Sequence, residues 1–305
     1  MDIRHISAFV AVFEEGSINQ AAVRLGSAQP SVSTLIRDLE TELKTPLFER
    51  LARGVRPIGP AETVYGHFQA VLREIDAARQ KARNGADAFT GTLRVGLAPT
   101  VTKGILPKML ADFLRAYPKL DVRLTEAFSG KLTEWTVAGE IDFSIVAAPP
   151  GSRQLITRRI AVEPIVLISG PESGRKHLEK IRLPDQDPIK LVLPWTHHSI
   201  RSMLDRFLRS GDIPVGRTIE IDSVPGMLGL VRESDWSALL SITSVMSELA
   251  SGALIVQPIE HPAMSTEFYM IHPARQTLSP AAIKFSEAIE RGFAENLETW
   301  MTYIR

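Results

Sequence analysis

Two short apolar periodicities separated by a glycine, between Gly16 and Arg50, restrict this chain more than any other feature. In GSINQAAVRLGSAQPSVSTLIRDLETELKTPLFER, Ser17 is placed to cap a helix whose Ala21, Ala22 and Leu25 share one face, because helical neighbours recur every three or four residues. Gly26 stops that helix. Pro30 suits the first turn of a second helix, where a missing N–H costs little, and Val32, Leu35, Ile36, Leu39 and Leu43 form its buried stripe, with Pro46 ending it. The opposite face carries Gln29, Ser31, Ser33, Thr34 and Arg37. These short polar groups and one long cation are what a helix needs to hydrogen-bond base edges in a DNA major groove. Two short helices joined by a Gly-containing turn predict a helix-turn-helix.

The pattern has a family likeness. Gly16-Ser17, Ala21-Ala22, Leu25, Gln29-Pro30, Ser33, Leu39-Glu40 and Pro46-Leu47-Phe48 with Arg50 resemble the amino-terminal signature of the LysR-type transcriptional regulators, matched at fixed spacing up to Ile58. One position departs: where the family has Ser or Thr before the Gln-Pro pair, this chain has Ala28, and Ser27 is expected to cap instead. The helix reading and the resemblance together nominate Ser17, Gln29, Pro30, Ser31, Ser33, Thr34, Arg37, Arg50 and Arg53 as DNA-binding residues.

Charge by itself decides little. Lys plus Arg total 35 and Asp plus Glu total 35, so attraction to DNA must come from local clustering, such as Arg50, Arg53 and Arg56 in one acid-free heptad. A chain of 305 residues exceeds one core, so two or three domains are expected. The absence of Cys removes disulfides, thiol catalysis and thiolate metal sites together. The first residues, MDIRHISAFVAVFEEG, contain acids and an amphipathic run unlike a signal peptide. No apolar stretch reaches the ~20 residues needed to span a bilayer, so a soluble cytoplasmic protein is expected. Hydrolase elbows, zincin motifs and phosphate loops are lacking too, and neither an enzyme nor a cofactor is predicted.

In chain order, Ile3, Ile6, Phe9, Val10 and Phe13 predict a helix packed under the helix-turn-helix. Residues 49–58 read as a two-strand wing turning at 52–54, which offers Arg53 to the minor groove or backbone, or leaves it a solvated loop cation. Residues 60–84 predict one long helix with Val64, Phe68, Val71, Leu72, Ile75 and Ala78 on one side. Such a face calls for a partner, and a second copy is the simplest one. The resemblance implies a dimerising linker helix. At its start the family's Leu-Thr-x-x-Gly is replaced by Ile58-Gly59-Pro60-Ala61-Glu62, so Gly59 is expected to cap. Residues 85–91 form a small-residue hinge.

Beyond the hinge, strands (92–97, 121–127, 142–147) alternate with helices (105–117, 131–138), and a second series follows in 190–193, 200–210, 218–221, 224–233, 237–241 and 254–256. Segments 164–169 and 266–272 are the crossovers, and 279–303 a closing helix. Alternation argues an α/β fold with a mostly parallel sheet, and the resemblance implies a two-lobed, periplasmic-binding-protein-like effector domain. The expected domains are therefore a winged helix-turn-helix at 1–59, a linker helix and hinge at 60–88, and an effector domain at 89–305. Its lobe I comprises about 92–163 with 267–305, and its lobe II about 164–266.

Ligands of such lobes bind beyond the carboxyl ends of strands, where helix starts offer N–H groups. By position in the family, Thr100, Thr102, Ser129 and Ser199 are carried over as effector-binding candidates for a small, anionic molecule, and Val101, between the two threonines, and His198, which could add an aromatic wall, are nominated beside them. The bland alternative is that these hydroxyls only cap helices. Trp195 could wall the cleft or fill the core. The pair His197-His198 points to opposite faces and has no third ligand at metal spacing, so no metal is predicted. The resulting expectation is a DNA-binding transcriptional regulator, at least a homodimer and a homotetramer if effector domains also pair. Double-stranded operator DNA, a small-molecule effector and RNA polymerase are its partners, and no membrane is. The alternative is a two-lobed solute receptor without DNA function.

Overall fold

In the computed structural model, which describes residues 1–51, 54–83, 89–147, 151–196, 198–249 and 251–304, the chain forms two compact units, one built on Met1–Ala88 and one on Phe89–Val137 and Ile141–Arg305. Arg53, His197 and most of the expected hinge lie outside the described residues.

In the first unit, Asp2 caps α1 (Ile3–Glu15), which ends at Gly16 in a left-handed conformation. Ser17 caps α2 (Ile18–Arg24) by accepting from the Gln20 N–H. The helix stops at Leu25, with Gly26 at φ +59 after it. Leu25 is not on the buried face: it is exposed, while Ala21 and Ala22 are buried. α3 (Gln29–Leu43) follows, with Ala28 at its N-cap and no side-chain capping bond, so Ser27 does not substitute for the missing hydroxyl. Pro30, which has no N–H to satisfy, lessens the need for one. α3 ends when Lys44 turns left-handed at φ 53, two residues before Pro46. Of its stripe, Val32, Ile36 and Leu39 are buried, whereas Leu35 and Leu43 are half-buried.

Strands β1 (Phe48–Arg50) and β2 (Val55–Pro57) pair antiparallel as the wing. Gly54, at φ +86, lets the wing approach α1 closely: a Cβ there would collide with the Gly16 carbonyl, which accepts from the Val55 N–H at 2.9 Å. α4 (Gly59–Arg83) starts with the Ile58 carbonyl accepting from Ala61 at 2.7 Å, so Gly59 is its first residue and not its cap. The apolar face of α4 is shared differently from expectation. Phe68 is buried and Leu72 partly buried against the core of the winged unit, with Phe9, Phe13, Phe48 and Phe68 clustered around the Phe9 ring at 5.2 to 5.9 Å. Val71 and Ala78 remain exposed, and Ile75 is half-buried.

The second unit contains a ten-stranded sheet with helices on it. Its first lobe runs β3 (Gly91–Leu97), α5 (Pro99–Gly104), α6 (Leu106–Ala116), β4 (Leu120–Glu126), α7 (Ser129–Val137) and β5 (Phe143–Val146). β6 (Leu155–Ser169) then crosses to the second lobe, which contains β7 (Ile181–Arg182), β8 (Ile189–Leu193), α8 (Arg201–Ser210), β9 (Val215–Glu220), α9 (Val224–Arg232), β10 (Ser237–Ser241), a 3-10 turn (Ile242–Val245), α10 (Met246–Leu249) and β11 (Ile255–His261). β12 (Ser265–Pro273) returns to the first lobe, and α11 (Pro280–Tyr303), capped by Ser279, closes the chain.

Order across the sheet is β4-β3-β5-β12-β6-β10-β8-β9, with β11 on β6 and β7. β3 with β4 and β5, and β8 with β9 and β10, are parallel, so each lobe presents strand carboxyl ends together. The crossover is longer than the sequence indicates, since residues 155–164 of β6 pair with β12 and 165–169 pair with β10 and β11. α11 joins the main apolar clusters of the two lobes, putting Phe285, Ile289 and Phe293 into that of the first and Trp300 into that of the second.

Candidate DNA-reading surface and effector cleft

Gln29, Pro30, Ser31, Thr34 and Arg37 are exposed on α3, and Ser33 is half-buried among them. The Gln29 amide donates to the Ser33 hydroxyl at 3.0 Å, and Thr34 donates its proton to the Pro30 carbonyl at 3.0 Å, leaving its oxygen to accept. Arg50, at the end of β1, is exposed. Arg56 on β2 pairs with Glu49 at 2.5 Å. Ser17 serves as a cap, with its hydroxyl directed to the α2 backbone.

Two features that hold this surface were not picked out from the sequence as such. Glu40, in the last turn of α3, accepts from the Leu47 N–H at 2.7 Å and the Phe48 N–H at 3.1 Å, fixing the start of the wing to the reading helix. Glu14 on α1 accepts from Tyr65 at 2.7 Å and Gln69 at 3.0 Å, both on α4, and pairs with Arg24 on α2 at 2.5 Å. Burial would raise the Glu14 pKa, but the hydrogen bonds from Tyr65, Arg24 and Gln69 outweigh it and the carboxyl ends below its usual range. Phe13 stacks on Tyr65 at 4.0 Å over the same network.

In the second unit the expected loops do gather at strand ends. Thr100 and Val101 are buried within α5, and Thr100 accepts from the Ser244 hydroxyl of the second lobe at 3.4 Å. Ser129 begins α7, where its hydroxyl accepts from the Ala147 N–H beyond β5 at 3.1 Å. Beside it Phe128 meets the His198 ring of the second lobe edge-on at 5.3 Å. Ser199 is half-buried one residue before Ile200, the N-cap of α8, so it does not cap that helix. Thr100 and Thr102 lie inside α5, whose N-cap is Ala98, so capping does not account for these hydroxyls either. Thr102 differs from the others because its hydroxyl is directed at Glu126 and at the Pro99 carbonyl, so its proton is already committed. Trp195 is 49% exposed at the end of β8 and is not core filling.

Pro194, just past β8, is held by Arg201, which donates to its carbonyl at 2.6 Å and pairs with Asp205 at 2.8 Å and Glu220 at 2.7 Å. Between the lobes, Lys103 of α5 pairs with Glu248 of α10 at 2.8 Å, both largely buried. Burial would raise the Glu248 pKa, but Lys103 and Ser247 outweigh it and keep it low. α5 packs directly on the 3-10 turn because Gly104 has no Cβ to strike the Thr243 backbone. Ser244, Lys103 and Glu248 were missed in the sequence, since they become partners only when the crossover brings 99–104 and 242–249 together, and Phe128 was missed because its partner His198 belongs to the other lobe. Trp236 packs partly on the core of the second lobe with Arg217 over its ring at 5.7 Å. Among the described residues no His, Cys, Asp and Glu cluster is disposed to hold a metal, and no helix is long and apolar enough to cross a membrane.

Residues 3–57 match the bacterial regulatory helix-turn-helix protein, lysR family, and residues 86–294 match the LysR substrate binding domain. The chain belongs to the LysR family. It is similar to the HTH-type transcriptional regulator BbuR of Bordetella bronchiseptica, at 25% identity over 277 residues covering 91% of this chain and 85% of that one. Its fold is similar to that of a full-length cysteine variant of OxyR from Pseudomonas aeruginosa, at TM-score 0.72 and 23% identity, covering 96% of this chain and 94% of that one. Full-length CbnR complexed with its target DNA is also similar, at TM-score 0.56 and 21% identity, with 96% and 100% covered. This LysR-family chain is a DNA-binding transcriptional regulator with an effector-binding domain, and its DNA-reading domain decides against a solute receptor without DNA function.

Proposed function

We propose that this regulator reads operator DNA with Gln29, Pro30, Ser31, Ser33, Thr34 and Arg37 on α3, and contacts the flanking backbone with the wing through Arg50 and Arg53. Its second unit binds a small polar or anionic effector between Thr100, Val101, Ser129, His198 and Ser199. Thr102 shapes that cleft while its proton is held by Glu126. The observation that carries this reading is the pairing of the Thr100 and Ser244 hydroxyls and of the Phe128 and His198 rings across the lobes. A molecule at these groups touches both lobes, so its affinity depends on how they are set, and binding shifts their equilibrium. The start of α7 and the neighbouring hydroxyls favour negative charge.

The exposed Val71 and Ala78 on α4 support assembly with a second copy through that helix, and tetramers if effector domains also pair. Effector-dependent spacing of the DNA-reading domains in such an assembly alters DNA bending and access for RNA polymerase in the cytoplasm. A thermal-shift screen of small organic acids, aromatic carboxylates and inorganic anions tests the reading, each hit being retested for its effect on operator binding. Hits that stabilise wild type but not the Thr100→Ala variant support the cleft; hits indifferent to Thr100 and Ser129 place the site elsewhere.

A further inference from the structure

One buried carboxylate lies at the crossover between the lobes, outside the groups given to the effector. Glu163 is 1% exposed on β6, two residues before that strand exchanges β12 for β10 and β11. One of its oxygens, Oε1, accepts from the Thr243 hydroxyl of the 3-10 turn, and the Thr243 oxygen in turn accepts from the Asn296 amide of α11 at 3.0 Å. Among the described residues the other oxygen, Oε2, is buried without a hydrogen-bond partner, as is the Ser241 hydroxyl at the end of β10, which lies near enough to favour the charge. Asn296 also reaches the Gly104 carbonyl of α5 at 3.4 Å, so the chain of contacts passes from β6 through the turn and α11 to α5.

Among the described residues no cation answers Glu163. On β12, Thr266 is its register partner, Glu267 pairs with Arg159 at 2.9 Å, and His272 bonds the Pro273 carbonyl. On α11, Glu290 and Glu295 pair with Arg158 and Lys108. Arg232 of α9 and Lys103 of α5 are directed to Glu248, and the charged residues of β11, Glu260 and His261, are exposed. A charge at Glu163 therefore rests on the Thr243 hydroxyl and backbone N–H and the nearby Ser241 hydroxyl, and burial pushes its pKa up from 4.5 to about 7.

We propose that Glu163 is a protonation switch for the lobe crossover: neutral, it lets the 242–245 turn seat against β6, and ionised, it draws water in and loosens that turn. The turn carries Ser244, which meets Thr100, and leads into Glu248, which meets Lys103, so loosening it changes the interlobe contacts themselves. Because the folded pKa lies above the unfolded one, the stabilisation is complete below about pH 4.5, falls as pH rises towards 7, and is flat above. The switch acts on the conformation of the domain, whichever molecule the cleft binds.

The test uses the full chain. The Glu163 side-chain carboxyl is titrated by carbon-13 NMR, thermal midpoints are recorded from pH 5 to 8.5 for wild type and Glu163→Gln, and amide exchange is followed at 242–245. A Glu163 midpoint within a unit of 7 is expected. The second unit of the wild type should melt lower as pH rises to 7, a fall that Glu163→Gln lacks. Subtracting the variant also removes the opposite trend from His272, whose burial lowers its pKa. Exchange at 242–245, corrected for its intrinsic rate, should be at least tenfold faster at pH 8 than at pH 6 in wild type and equal at the two pH values in the variant. A Glu163 midpoint below 5.5, or exchange in wild type unchanged between pH 6 and 8, overturns the proposal. So does a pH slope shared by both proteins. Should Glu163→Gln not fold, the wild-type titration and exchange decide alone.

Discussion

Replacing Glu40 by Ala should detach the wing from the reading helix. Two backbone donors, the Leu47 N–H at 2.7 Å and the Phe48 N–H at 3.1 Å, converge on one Glu40 oxygen. Hydrogen bonds to a charged acceptor contribute ~1.5–3 kcal/mol each when well enclosed. Glu40 is half-buried, and a carboxylate in the last turn of α3 opposes the helix dipole, so the lower end applies and the pair should be worth about 2 to 3 kcal/mol. For a small domain that is a fall of roughly 10 to 20 °C in melting temperature. Because the chain forms two compact units, the assay is amide exchange within residues 3–57 beside a calorimetric scan that resolves their transitions. Glu40→Gln keeps the acceptor without the charge and should lose about 1 kcal/mol. DNA binding provides the second readout: a displaced wing should reduce the salt slope by about one for each phosphate it no longer neutralises. A Glu40→Ala protein that melts within about 0.5 kcal/mol of wild type and keeps its salt slope would refute the reasoning.

Arg37→Ala should weaken binding to its operator by ~1–3 kcal/mol while leaving the salt slope nearly unchanged, whereas Arg53→Ala should weaken all sequences alike and flatten the slope, both measured by anisotropy across salt. On α4, Val71→Asp should leave the winged unit folded and shift ultracentrifugation towards smaller species. Leu72→Asp, which places a charge against the core of the same chain, should unfold that unit instead. At the cleft, Thr100→Ala should abolish the effector response with operator binding retained. Thr100→Val should be harsher, because a methyl replaces the oxygen that accepts from Ser244. Reporter transcription read with operator affinity separates the two outcomes, and an unchanged half-maximal effector concentration in both variants counts against the cleft.

Local rules made most of the first unit legible. Ser17, Gly26 and Pro30 act at helix ends, and a 3.6-residue period identifies Val32, Ile36 and Leu39 as core. The same rules misplaced Leu25 because a seven-residue helix ends before its last apolar residue turns inward. Burial on α4 could not be apportioned either: a continuous stripe does not say that Phe68 and Leu72 belong to the same chain while Val71 faces out. In the second unit, strand and helix order followed from alternation, but the length of β6 did not, since residues 155–163 are largely exposed and lack a continuous apolar run. The cleft was legible only as strand ends. Its interlobe partners, Thr100 with Ser244 and Lys103 with Glu248, lie 144 and 145 residues apart, a separation no local pattern can bridge. Glu163 had a visible signal, a lone acid in the run Ile160 to Ser169, and needed the structure only to show what surrounds it.

The most direct measurement is a paired titration. Duplexes selected by the full-length protein from a random library, and scrambled controls, are titrated at one fixed salt concentration, each with and without a stabilising small molecule from the thermal-shift screen. A regulator that reads DNA through α3 and senses a ligand through its second unit should prefer the selected duplex by roughly 10³-fold or more, lose ~1–3 kcal/mol of that preference in Arg37→Ala, and change affinity or bend angle when the small molecule is added. Equal binding of selected and scrambled duplexes, or a preference that survives Arg37→Ala intact and ignores every stabilising molecule, would contradict it.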